Sequence, residues 1–473
     1  MSSVKTMPSP GNIALDPGAI SELTATVRGR VTTPGMPDYD AARTIWNAMI
    51  DRRPSVIVQC ASAADVIHAV RFCRAHDINP AVRGGGHNIA GNAVCDGGLM
   101  IDLSPMKSVQ VDPAKRTARV EAGATLADVD HDTQAFGLAT PVGINSTTGI
   151  AGLTLGGGFG WLSRKLGLSI DNLLSADVVT AAGELVKASN TENPDLFWAI
   201  RGGGGNFGIV TSFEFKLHPV GPEVLSGLII HPLAEAQTVL RYYRDFLKTT
   251  PEEFVCWFVL RLAPPLPFLP AEWHGKGILA LAVCYAGPIA DGERVAKPLR
   301  TFGKPIADVI APHPFTAWQK ILDPLLAPGA RNYWKSHDYR EVSNGLIDVL
   351  VDHAQRIPDP MAEIAFAQLG GAVSRVPLDA TAYTHRDAEF VLNVHGRWTD
   401  PAKDSACIGW ARELFMAAAP FATGGAYVNF LTEEEGDRVR AAYGTNYRRL
   451  AEIKKKYDPT NFFRRNQNIL PAA

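Results

Sequence analysis

The sequence predicts an α+β chain of two domains, and three observations carry that expectation. The chain has 473 residues, more than one ordinary hydrophobic core serves, so division into domains comes first. Strand-like and helix-like segments are interleaved, with hairpins among them. Glycine clusters crowd the stretch before residue 220; beyond Pro219-Val-Gly-Pro222 they stop, and tryptophan and proline become prominent.

Taken in order, residues 1 to about 20 are rich in Ser, Pro and Gly and are expected to be mobile. An amphipathic stretch leads to Asp38–Met49. Ser55-Val-Ile-Val-Gln-Cys60 reads as a strand, and Ala61-Ser-Ala-Ala-Asp65 opens a helix whose Val66, Ile67, Val70 and Phe72 recur near helical spacing up to His76. Pro80-Ala-Val-Arg83 is a second strand, so this β-α-β unit ends in a glycine loop. Leu99–Leu103 is a strand. Val109–Asp112 and Thr117–Glu121 flank the turn Pro113-Ala-Lys-Arg as a hairpin. Thr125 caps a helix to Phe136. Asp177-Val-Val-Thr and Leu185-Val-Lys form another hairpin about Gly183. Pro194–Ile200 begins a short helix, and Ile209–Lys216 is a strand. In the second half, Gly277–Tyr285 and Glu389–Val394 are strands between helices, and a helix over Asp437–Lys456 precedes Tyr457-Asp-Pro-Thr-Asn-Phe-Phe463.

Composition excludes several classes. The formal net charge is −2, so no long-range field favours nucleic acid or an acidic membrane. The six cysteines show no CxxC pair or metal-ligand spacing; buried thiols are expected, with neither zinc nor a disulfide framework. The N-terminus lacks the apolar core of a signal peptide, and no apolar run is long enough to span a bilayer. A cytoplasmic enzyme acting on a small molecule, without nucleic acid or membrane partners, is the expectation.

Glycine loops between strands and helices present several backbone N–H groups to one anion and let it approach closely. The first is Arg83-Gly-Gly-Gly-His87; the second holds Gly149, Gly152, Gly156, Gly157, Gly158 and Gly160; the third is Gly202–Gly205. Each alone reads as a tight turn. Together they suggest a long ligand with a diphosphate in its middle. A Rossmann site is disfavoured: Gly203-Gly-Gly-Asn-Phe-Gly208 has the spacing, but a helix precedes it and a strand follows. No GK[ST] follows any cluster, which disfavours a P-loop.

Four segments carry a family resemblance: Arg83-Gly-Gly-Gly-His87-Asn-Ile-Ala-Gly91; Gly149–Gly160 with Gly167-Leu-Ser-Ile-Asp-Asn-Leu173; Asp195–Val210; and Tyr427-Val-Asn-Phe430 with Tyr457–Asn468. In this order they resemble the berberine-bridge branch of the vanillyl-alcohol-oxidase superfamily, which includes 6-hydroxy-D-nicotine oxidase. The resemblance implies a two-domain PCMH-type FAD-binding fold with an inserted antiparallel-sheet substrate domain. Its parts would be an N-terminal extension (1–38), the FAD domain (39–220), the substrate domain (221–424) and a C-terminal segment completing the FAD domain (425–473). It implies FAD attached covalently through His87 only. The position where many relatives carry a second, cysteinyl link is here Asn145, which forms no thioether. Arg83, Gly84, Gly85, Gly86, Asn88, Gly91, Asn145, Thr147, Thr148, Gly149, Gly152, Gly157, Gly158, Gly160, Asp171, Val210, Asn466 and Asn468 are the further cofactor-binding candidates.

Oxidising an alcohol or amine on a flavin requires a substrate C–H held at the ring and a base for the O–H or N–H proton. The resemblance makes Tyr427 the leading base, packing on the flavin being the alternative. With an ordinary pKa near 10, it needs depression by neighbours or a short hydrogen bond. Asn429 is expected on the same strand face, bonding flavin or substrate. Asn393 occupies the position of a family glutamate or glutamine and would orient substrate. Strand alternation places His395 and Arg397 on its face. His395 is the second base candidate, a satisfied structural histidine being the stronger reading. Of Trp257, Tyr333, Trp334, Tyr339, Phe366 and Tyr383, the stretch Asn332–Ser336 is expected to line the cleft. Thr148 stands where relatives gate O2, so an oxidase forming H2O2 is expected ahead of a dehydrogenase with another acceptor or a non-catalytic flavin binder.

Overall fold

In the computed structural model, which describes residues 15–473, strand pairing sorts the chain into sheets on either side of residue 220. Before it lie a four-stranded and a five-stranded sheet. In the first, Val56–Gln59, Leu99–Asp102 and Ala81–Arg83 run parallel and Arg30–Thr32 joins antiparallel. The second is antiparallel, ordered Val109–Asp112, Thr117–Glu121, Ile209–Lys216, Leu173–Val179, Leu185–Ser189. The predicted β-α-β unit is present, its helix spanning Ala63–Ala75. Thr125 caps the helix Leu126–Gln134 in a reciprocal box with Asp128.

After residue 220 an eight-stranded antiparallel sheet takes over. Its centre runs Glu223–Pro232, Gly277–Tyr285, Phe254–Leu262, Glu363–Gln368, Phe390–Trp398, Arg331–Tyr339. Period-two alternation divides its two faces. Phe258, Leu260, Leu279, Leu281, Ile364, Phe366, Leu392 and Val394 face a core covered by the helices Ala236–Leu247, Asn344–Ala354 and Asp404–Ala418. The opposite face looks toward the glycine loops. Residues 426–469 return to pack on the first core through Val428, Tyr443, Leu450, Phe463 and Ile469. The α+β fold with an antiparallel second sheet is therefore as expected.

Three local expectations need correction. Of the N-terminal stretch expected to be mobile, residues 1–14 lie outside the described residues, and Pro17–Thr26 is a helix packed through Leu23. The helix expected over Asp437–Lys456 is broken into Val439–Tyr443 and Tyr447–Tyr457. Gly444 adopts φ 49° at the break, and a Cβ there would press on Thr384. Tyr427 and Asn429 do not share a strand: Val428–Phe430 is a single 3-10 turn, closed by Phe430 N–H donating to Tyr427 O. The six cysteines are buried and unpaired. Among the described residues, no cluster could hold a metal ion and no helix is long and apolar enough to cross a membrane.

Candidate active site

The glycine loops meet along one wall of a cavity of about 420 Å³ between the first two sheets and the eight-stranded one. Gly84, Gly85, Gly86, Gly149, Gly152, Gly204, Gly205 and Val210 border it. The loops touch each other: a Cβ on Gly85 would collide with the Gly149 backbone, and one on Gly149 with Gly85. Gly152 and Gly205 face open space, so any side chain there would project into the cavity. This wall is made of backbone.

His87 stands at its end. Burial lowers its pKa to about 4, so the imidazole is neutral near pH 7. Trp46 stacks on the ring at 5.1 Å. His87 Nε2 lies 3.0 Å from Thr147 Oγ1, and Thr147 Oγ1 donates to Asn145 Oδ1 at 2.8 Å. Thr147 has one hydroxyl proton, and Asn145 takes it. The hydroxyl oxygen therefore accepts from His87 Nε2–H, leaving Nδ1 with the lone pair. Asn145 also accepts from Thr147 N at 3.1 Å. It thus fixes Thr147, which fixes the histidine tautomer.

Tyr427 approaches from the C-terminal segment. Its phenol oxygen accepts from Gly158 N at 3.1 Å and Asn429 Nδ2 at 3.0 Å. Burial outweighs these two bonds and pushes its pKa up to about 12. The expected depression is overturned: the resting residue is a neutral phenol. The second Nδ2 hydrogen of Asn429 is shared between Gly152 O and Leu153 O, each at 3.2 Å. Aromatic edges continue the wall, with Phe159 at 4.8 Å and Phe430 at 4.9 Å from the Tyr427 ring, and Trp334 at 5.3 Å from Phe430.

The facing wall is the free side of the large sheet. Leu228, Ile230, Trp257, Val259, Ile278, Ala280, Ala282, Ala365, Ala367 and Val391 line it, with Asn393 among them. At one end lies a polar rung. Arg261 pairs in register with Glu363, Glu363 with His395, and His395 with Trp334. Arg261 Nη1 donates to Glu363 Oε2 at 2.6 Å, while His395 Nδ1 stands 3.3 Å from Glu363 Oε1 and Nε2 3.2 Å from Asn332 Oδ1. Burial opposes the Glu363 charge, yet Arg261 and then His395 prevail and hold its pKa at about 2. Both His395 nitrogens are engaged, so it is no free base.

His87, Asn88, Asn145, Thr148, Asn393, His395, Tyr427, Asn429 and Asn466 thus border one cavity. Other candidates do not. Arg83 is spent on Asp102 and the carbonyls of Ala42 and Thr44. Asp171 caps Leu168 N and takes both Arg386 nitrogens, at 2.7 and 2.8 Å. Gly91, Gly157, Gly158 and Gly160 shape loops behind the wall, Gly158 by presenting its N–H to Tyr427. Thr147 acts through His87, and Asn468 lies off the cavity. Of the aromatics, Trp257 and Trp334 line the cavity, whereas Tyr333, Tyr339 and Phe366 point into the opposite core and Tyr383 packs behind Gly157. Sequence reasoning missed Trp46, Arg261, Glu363 and the segment of Leu322, Leu325 and Leu326. A lone charge in an otherwise apolar strand marks Arg261 and Glu363.

The residues suit FAD. Backbone loops and open-faced glycines match a diphosphate's needs. Buried polar atoms without partners, Asn466 Oδ1 and Asn393 Oδ1, mark places for ligand atoms.

Comparison with known proteins gives the same direction. Residues 54–189 match the FAD binding domain family and residues 426–470 the berberine and berberine-like family. An FAD-linked oxidoreductase of Dictyostelium discoideum is 32% identical, covering 96% of this chain and 97% of its own. The structure of 6-hydroxy-D-nicotine oxidase from Arthrobacter nicotinovorans superposes with a TM-score of 0.84 at 30% identity, over 94% of this chain and 98% of that one. Berberine-bridge-like 1 of Physcomitrella patens gives 0.85 at 25% identity, over 96% and 99%.

Proposed function

Since this chain belongs to the berberine-bridge-like family of FAD-linked oxidoreductases, we propose that it is an oxidase carrying FAD on His87. It takes a hydride and a proton from a CH–OH or CH–NH group of a compact, largely apolar molecule. One observation carries this reading: a single cavity has His87 and the glycine wall on one side, an apolar sheet face on the other, and Tyr427 between them.

His87 would hold the flavin 8α-methyl through Nδ1, the nitrogen its bond to Thr147 leaves free. When bound, FAD supplies a two-electron acceptor that O2 returns to the oxidised state, giving H2O2. Thr148, beside Gly149 on the cavity wall, controls O2 approach. Tyr427 takes the substrate O–H or N–H proton. The donors Gly158 N–H and Asn429 Nδ2–H stabilise the phenolate this requires. Asn393 offers an unpartnered Oδ1 to orient the substrate. The Trp257–Val259–Ala282 surface leaves a sugar's hydroxyls without partners and suits an aromatic or alicyclic ring. A relative named for 6-hydroxy-D-nicotine supports the same direction.

The test is anaerobic flavin bleaching by hydroxy-aromatics, amino alcohols and sugars, followed by H2O2 measurement on admitting air. Bleaching by sugars alone overturns the apolar reading. Acid precipitation should leave the yellow colour in the pellet, and His87→Ala should release it to the supernatant.

A further inference from the structure

The polar rung and the arginine behind it together carry more positive than negative charge. Arg261 and Glu363 form one ion pair at 2.6 Å. Arg397, one strand position beyond His395 on the same face, has no carboxylate partner. It is 1% exposed, its Nη1 donates to Asn332 Oδ1 at 3.0 Å, its Nη2 donates to Ala327 O, and its Nε has no acceptor. Burial lowers its pKa only to about 10, so it stays charged near neutrality. Two guanidiniums therefore stand near one carboxylate, with Arg261 and Glu363 on the chamber wall and Arg397 behind it, over the Trp46 ring at 5.2 Å.

His395 adds no charge near neutrality, because burial lowers its pKa from the ordinary histidine value. The oxygen of Asn332 is fixed as an acceptor, because its Nδ2 donates to Ala330 O at 2.7 Å and its Oδ1 receives Arg397. His395 thus sits between two acceptors, Asn332 Oδ1 and Glu363 Oε1. Beside it, Trp334 presents an Nε1–H with no acceptor, 4.9 Å away ring to ring and on the cavity wall. Unpartnered buried donors beside a guanidinium that has no carboxylate partner describe a place for an anionic oxygen. A substrate ammonium would meet Arg261 on the wall with Arg397 behind it, and the Glu363 charge is already paired with Arg261.

We propose that the Arg261–Glu363–His395–Trp334 rung, backed by Arg397, is an anion subsite that anchors a carboxylate or acidic phenol at one end of an otherwise apolar substrate. The proposal rests on the reading of this cavity as the substrate chamber. It names the substrate class: a ring or short chain bearing the oxidisable CH–OH or CH–NH and an acidic oxygen. Trp334 donates to that oxygen, and Arg261 supplies charge while holding Glu363 away from it.

The experiment uses flavin-loaded enzyme and three matched probes: 3-phenylpropanoate, its amide and 3-phenylpropylamine. Binding is read by flavin absorbance and by calorimetry in air, so no turnover is needed. The acid should bind at least about tenfold tighter than the amide, the size of one charge-assisted hydrogen bond, with the amine weakest. Glu363→Gln, which removes the like charge, should tighten the acid and leave the amide unchanged. Trp334→Phe should weaken the acid toward the amide. Equal binding of the three probes, or tightest binding of the amine, overturns the subsite. These measurements are independent of whether any CH–OH or CH–NH compound bleaches the flavin. Acid preference without bleaching keeps the subsite and removes the oxidase reading.

Discussion

The two walls of the cavity are built from different material. The glycine wall is backbone: Gly85 and Gly149 touch main chain to main chain, and Gly152 and Gly205 leave open faces. The sheet wall is side chains, one residue in two from neighbouring strands, with Trp257, Val259, Ala282 and Ala365 beside the charged rung. A backbone surface admits few sequences, because almost any Cβ obstructs it. A side-chain surface admits many, since each strand supplies its positions independently. Under the proposed function this difference separates cofactor recognition from substrate choice.

Tyr427 bridges the walls, and removing its hydroxyl gives the largest expected effect. Tyr427→Phe should slow anaerobic flavin reduction by about 10²–10⁴-fold with the bound flavin spectrum retained. The sign of the pH dependence follows from its raised pKa. A base works deprotonated, and Tyr427 is protonated until near pH 12. The reductive rate constant of the wild-type enzyme should therefore climb from neutrality into the alkaline range, and the climb should vanish in the phenylalanine variant. A flat wild-type profile would remove Tyr427 from the base role.

The walls should also differ under equal insults. Gly85→Ala drives a methyl into Gly149 and should cost about 1–3 kcal/mol in stability along with flavin content. Ala365→Val on the opposite wall should keep the flavin and change the ranking of substrates, seen as KM differences across a panel. If both variants lose flavin equally, the division between walls fails.

Asn145 tests the hinge between cofactor and histidine. Asn145→Ala removes the acceptor that orients Thr147. It should lower the covalently bound fraction, read from colour in the acid pellet, at about 1 kcal/mol of stability. A separate expectation is acid sensitivity at His87. Its folded pKa is lowered to about 4, so the unfolded chain takes up the proton first. As pH falls from about 6.5, the unfolded value, toward 4, stability declines, and His87→Gln should blunt that decline in urea titrations of flavin-free protein.

The residues most legible in the sequence are those of the backbone wall. Gly84–Gly86, His87, Gly149 and Gly152 stand together in short runs, so a local pattern identifies them. Asn393 and His395 were legible because strand alternation holds over Phe390–Trp398. Arg83 lies off the cavity, since a charge beside a glycine loop serves equally to tie that loop down, as Asp102 shows, whereas Asp171 fixes loop backbone as its place beside Gly167 suggests, capping Leu168 N and pairing with Arg386. Tyr427 and Asn429 border the same cavity, but from a turn where a strand is expected.

By itself the sequence determined the α+β class, the glycine loops and the histidine among them, because these depend on spacing along the chain and on conformations few residues adopt. Only the tertiary structure decided that Arg261, Glu363, His395 and Trp334 form one row, that Trp46 covers His87, and that Tyr427 rests as a neutral phenol. Register between strands distant in sequence is set by packing of the whole sheet, and a pKa by how much water that packing removes. Neither quantity exists until the chain has folded.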